Sequence, residues 1–182
     1  MSRAAVRNAL YDYLTAGCTG APGTVPGVAR VYRAQPWFIG GSSWSLSVEG
    51  GSGAVAFIHF PDKNEQRVAD PAESVSTQVV GWKQVDYQVA VVVLYQYLIP
   101  SATQAQQLTG DEWVDPLDAT LDGLESWIRA DPTAGTGPQG VVFEMAQSPG
   151  DLALPQDLPR IVNGKVLSWQ ALHFTATEMI EA

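Results

Sequence analysis

The stretch GWKQVDYQVAVVVLYQY, Gly81 to Tyr97, constrains the fold more than any other part of this chain. After Lys83 its odd positions read Val85, Tyr87, Val89, Val91, Val93, Tyr95 and Tyr97, so one face is apolar throughout, with the two-residue period of a strand. The other face begins Gln84, Asp86, Gln88 and continues Ala90, Val92, Leu94; its first half is expected in water and its second half under cover. At ~3.3 Å per residue the segment reaches on the order of 50 Å, whereas an ordinary strand has about 5 to 6 residues. Such a strand needs an extended sheet and something to cover it.

The 182 residues suit one domain, and 46% hydrophobic with 16% charged residues describes a folded chain lean in charge. The formal net charge of -9 argues against a sequence-independent grip on nucleic acid, which needs clustered Lys and Arg. It does not forbid DNA passing close by, because an acidic wall repels a polyanion. A single cysteine, Cys18, allows neither an internal disulfide nor a cysteine cluster for zinc. MSRAAVRNAL lacks the apolar core of a signal peptide, and no apolar run approaches the roughly 18 to 20 residues of a membrane span. These features predict a soluble protein made in a cytoplasm.

Around the long strand the sequence predicts an α+β domain: one mainly antiparallel sheet with two principal helices packed on it. Ser2 is placed to cap a first helix with Val6, Ala9, Leu10, Tyr13 and Leu14 at helical spacing, ending near Gly17. Val28 to Arg33 is a short strand, and Ala54 to Phe60, apolar on both faces, is a central one. Between them, Gly40 to Gly53 is a Gly/Ser-rich arm in which Trp44, Leu46 and Val48 alternate with other residues. Asp62 to Ala72 reads as a charged connection. Ser101 to Ala130 reads as helical, with two competing starts: Thr109 and Glu112 at capping-box spacing, or Asp115 followed by Pro116. Val141 to Met145 is a short strand, Ser148 to Pro159 is a proline-rich loop, and Asn163-Gly164 turns a hairpin into a last long strand, Lys165 to Ile180. No internal repeat is visible.

Chemistry is hard to find. The two histidines, His59 and His173, sit inside apolar strands without a carboxylate at useful spacing, as core or sheet-surface imidazoles do. No serine lies in a G-x-S-x-G turn, and GGSS and GGSGA are not followed by the helix that a phosphate cradle requires. Cys18 has no neighbouring base, and the carboxylate run Asp111 to Glu125 is the ordinary composition of a solvated helix face. No catalytic, cofactor-binding or metal-ligating residue is predicted. Trp37 and Trp44 flank the Gly/Ser arm and Trp82 opens the long strand on its polar side, positions where large aromatics act as contact anchors. A helix of ~20 residues extends only ~30 Å, so both long strands outrun their cover. Val85, Tyr87, Tyr95, Tyr97, Met179 and Ile180 are then expected at overhanging ends, where a second copy of the chain would bury them. A surface that meets a different surface on the next copy closes a ring.

AVRNALYDYL, VYRAQP, GWKQVDYQVAVVVLYQY, LESWIRADP and VLSWQALHFTATEMI resemble, in that order, the tail terminator proteins of long-tailed bacteriophages. The resemblance covers nearly the whole chain and implies a small α+β virion protein without catalytic residues. It implies a hexameric ring, formed in the host cytoplasm, that caps the tail tube protein, ends its polymerisation and meets the head-tail connector or stopper protein. DNA would pass through the lumen without specific binding, with Asp62, Glu65, Asp111 and Glu112 as the candidate acidic wall or, equally, as ordinary solubilising charge. Another neck component, a head-completion or stopper protein, shares the size and acidity; a small enzyme is the more distant alternative.

Overall fold

The computed structural model describes residues 3–19, 25, 27–36, 51–68, 82–101, 107–134, 142–144, 160–162 and 164–181. The long segment is one uninterrupted strand, β4 (Trp82–Leu98), and its antiparallel neighbour is the last strand, β7 (Lys165–Glu181), also 17 residues long. The two pair without a break, from Trp82 opposite Glu181 to Leu98 opposite Lys165. Their length has a simple cause: each takes two shorter partners end to end along its outer edge. Lys63–Val68 (β3) and Gly53–His59 (β2) line β4, while Val142–Glu144 (β5) and Arg160–Val162 (β6) line β7. Val28–Tyr32 (β1) adds a parallel edge strand to β2, giving the order β1-β2-β4-β7-β5 in a mixed, mostly antiparallel sheet. The α+β class expected from the sequence is thus what the chain adopts.

Part of the expected connection at Asp62–Ala72 is instead strand β3. His59 faces Ala90 and Lys63 faces Tyr87, so the chain takes four steps where β4 takes three. The extra residue is a bulge at Phe60-Pro61-Asp62, placed where proline has no N–H for the ladder. The ladder resumes when Gln88 N–H donates to the Asp62 carbonyl at 3.1 Å. KNEQRV has no apolar alternation because β3 lies at the sheet edge, where lysine and other polar residues discourage pairing with another chain. The hairpin expected between β6 and β7 forms: Val162 faces Lys165, and Gly164 has a φ of 74°, a value that favours glycine.

Both helices, α1 (Arg3–Thr19) and α2 (Asp111–Ala130), cover the same sheet face, the one bearing the odd residues of β4. Val6, Leu10 and Leu14 of α1 and Leu117, Leu121, Leu124 and Ile128 of α2 meet Val85, Val89, Val91, Val93 and Phe174 in one core. Of the segment expected as helical from Ser101, Asp111–Ala130 is helix and residues 102–106 lie outside the described residues; this helix starts at the first of the two competing signals. Glu112 accepts hydrogen bonds from the backbone N–H groups of Thr109 and Gly110 at 3.4 and 3.0 Å, so its carboxylate closes the first turn. Pro116 falls inside the helix, one turn beyond the start. The helices clasp each other reciprocally: Tyr13 donates its hydroxyl to the Trp127 carbonyl at 2.7 Å, and Trp127 Nε1 donates to the Tyr13 carbonyl at 3.1 Å. Their rings stack with centroids 5.1 Å apart.

Candidate functional site

The expected partner-facing residues of β4 end up mostly inside the subunit. Val85, Tyr87 and Tyr95 are buried in the chain's own core, which corrects their assignment to an interface; Tyr97 is half-buried against Trp113, with ring centroids 6.2 Å apart. The reason is a plug at the end of the sheet that the sequence pattern does not reveal. Phe60 meets Tyr87 edge to face at 6.2 Å, Arg7 lies over Phe60 at 5.0 Å, and Lys63 lies over Tyr87 at 5.7 Å. The Tyr87 hydroxyl also donates to buried Glu178 at 3.3 Å. Trp37 and Trp44, with the expected 40–53 arm apart from its last three residues, lie outside the described residues. Trp82 opens β4 opposite Glu181.

What stays exposed is at the two ends of the β4–β7 ribbon. Leu98 and Ile161 are exposed at one end and Met179 at the other, with Ile161 at 72% and Met179 at 48% of full exposure. Val114, at the start of α2, is a further exposed apolar side chain. Met179 was legible from the strand pattern; Ile161 was not, because three residues of β6 do not announce which side is covered.

The four acidic residues expected to line one wall divide into two pairs. Asp62 and Glu65 sit beside the Val85–Gln88 part of β4, where Glu65 is bound by Lys63 and held below the usual carboxylate range by that hydrogen bond. Asp111 and Glu112 sit at the opposite end, beside Trp113 and Tyr97, roughly 30 Å away along the strand at ~3.3 Å per residue. Hydrogen bonds from its own backbone N–H and from those of Gly110 and Thr109 hold the Glu112 carboxyl low, so this charge serves the helix start. The four do not form a single surface within one subunit.

The second sheet face, which neither of the described helices covers, is polar in one half and apolar in the other. Asp86 accepts hydrogen bonds from Gln84 and Thr177, whereas Val55, Phe57 and Leu94 form a small buried cluster with Tyr32, Val92 and Trp169 around it. The two histidines meet at the border. His59 and His173 both face Ala90 across adjacent strands and so share this face. His173 Nε2 is buried without a hydrogen-bond partner, and burial, then repulsion from His59, holds its imidazole below the ordinary value of 6.5. The unfolded chain therefore binds this proton at higher pH than the folded one, and stability declines as pH falls through about 6.5, the whole penalty being present below the folded pKa. We expect the thermal midpoint to fall between pH 7.5 and 5 and the fall to be smaller in His173→Gln; an identical pH profile in that variant would refute the assignment.

A cleft of about 410 Å³ opens between the end of α1, α2 and the starts of β1 and β2, lined by Cys18, Val25, Tyr95, Pro116 and Thr120 among others. Burial pushes the Cys18 thiol up to about 12 and raises Tyr95 as well, so neither supplies a base or nucleophile near neutral pH. The Thr120 hydroxyl donates to the Pro116 carbonyl at 2.9 Å. Among the described residues no group of three or more His, Cys, Asp or Glu is placed to hold a metal ion, and no helix is long and apolar enough to cross a membrane. No protein-family model matches the chain, and no curated protein matches it.

Proposed function

We propose that this chain is a structural protein of a long-tailed bacteriophage virion, a ring-forming tail terminator that caps the tail tube, ends its polymerisation and joins the tail to the head or neck. The observation that carries the reading is the ribbon with two apolar ends. A continuous β4–β7 pair presents Leu98 and Ile161 at one end and Met179 at the other, which suits a subunit that docks a tube on one side and a neck on the other. The resemblance of the ordered helix and strand segments to tail terminators supports the same reading, and the net charge of -9 suits a wall past which DNA slides without sticking.

The test is to assemble tails with and without this protein and measure tube length by electron microscopy. Tubes of uncontrolled length are expected in its absence, and defined lengths with the protein bound at one tube end in its presence. An unchanged length distribution, together with no binding to tube ends, would overturn the proposal.

A further inference from the structure

If copies of this chain associate laterally, their two sides must differ, because charge is divided unequally between them. On α2 the buried residues Leu117, Leu121, Leu124 and Ile128 point at the sheet, while Pro116, Ala119, Thr120 and Trp127 turn toward α1. At ~100° per residue, Asp115, Asp118 and Asp122 fall on the flank turned away from α1, together with Asp111. All four are exposed, and exposed Val114 lies on the same side. The only base of the helix, Arg129, is taken by Glu125 one turn away.

The other side of the molecule is basic. β1 is the edge strand and α1 packs on it; Arg30 and Arg33 are exposed here beside one exposed carboxylate of α1, Asp12, and Arg3 is exposed at the start of α1 near Lys63. Arg33 lies over the Tyr11 ring of α1 at 4.9 Å on the helix-covered face, and Arg30 lies over Tyr32 at 5.8 Å on the opposite face, where Tyr32 pairs with Phe57, so the two guanidinium groups straddle the edge strand, each against an aromatic ring. Among the described residues neither arginine has an ion pair.

We infer that the acidic α2 flank of one copy packs against the β1–α1 edge of the next, head to tail. This rests on the ring reading above and gives the ring its lateral contact. Two acidic flanks facing each other in a two-fold pair would repel, whereas acid against base repeats from copy to copy and closes when the rotation allows. The two surfaces are complementary in charge: four carboxylates beside exposed Val114 on one, and on the other two arginines that straddle the β1 edge, each against a tyrosine ring.

Charge exchange tests it. One variant carries Asp118→Arg and Asp122→Arg; the other carries Arg30→Glu and Arg33→Glu. All four positions are exposed, and circular dichroism checks that both variants fold. By native mass spectrometry, wild type is expected as rings and each variant alone as monomer, with assembly requiring roughly 10- to 100-fold more protein. Mixed in equal amounts the two variants have complementary charges at every contact, and alternating rings should re-form. If wild type makes rings and the variants do so equally well alone, this contact is wrong and the ring reading stands. If wild type and the mixture both stay monomeric at every concentration, the ring reading fails with it.

Discussion

Val91→Asp is expected to leave no cooperatively folded protein. Val91 pairs with Ile58 on one side and Leu172 on the other, has no exposed surface, and belongs to the core that both helices share with the sheet. A carboxylate there loses its water and gains no cation, at a cost of several kcal/mol, and the valine's packing is lost as well. Against a total stability of about 5 to 15 kcal/mol for a domain, that is enough to unfold most of the population. Gln88→Asp, on the exposed polar half of the other face, is the matched control and is expected within about 0.5 kcal/mol of wild type. Soluble yield and the thermal transition distinguish the two. A Val91→Asp variant that melts cooperatively near the wild-type temperature would contradict the burial of the odd-numbered face.

Trp127→Ala is expected to destabilise the fold by about 3 kcal/mol. The indole supplies a stack on Tyr13, a hydrogen bond to the Tyr13 carbonyl and the surface against which α1 approaches. That approach is close. A Cβ on Gly17 would lie 2.5 Å from Trp127 Nε1, so glycine is required for the two helices to meet as they do, and Gly17→Ala should also destabilise. Trp127→Phe keeps a ring but loses the N–H, and is expected to cost about 1 kcal/mol. Urea unfolding of the three variants gives the ranking; a Trp127→Ala midpoint equal to wild type would show that the helix pair does not contribute to the core.

Much of this architecture was legible because it rests on period and punctuation. The two-residue alternation from Val85 to Tyr97 identified the helix-covered face correctly, Asn163-Gly164 placed the last turn, and Glu112 three residues after Thr109 marked the start of α2. What escaped depends on neighbours distant in sequence. β3 has no apolar pattern because its strand character comes from the free edge of β4, not from its own side chains. The burial of Val85 and Tyr87 depends on Arg7, Phe60 and Lys63 converging from three other segments, and alternation says which face is covered without saying how far the cover reaches. Likewise Asp62 and Asp111 carry the same charge but belong to opposite ends of one strand, a separation that composition does not record.

The unbroken ladder between β4 and β7 also sets the order in which this molecule can be completed. Its nearest pair joins residues 98 and 165 and its farthest joins 82 and 181, so the central strand waits for a partner synthesised long after it. Until β7 is made, a strand of 17 residues with one apolar face has an open margin during translation. Late closure of this kind makes folding slow and leaves the nascent chain prone to pair with its neighbours on the same message.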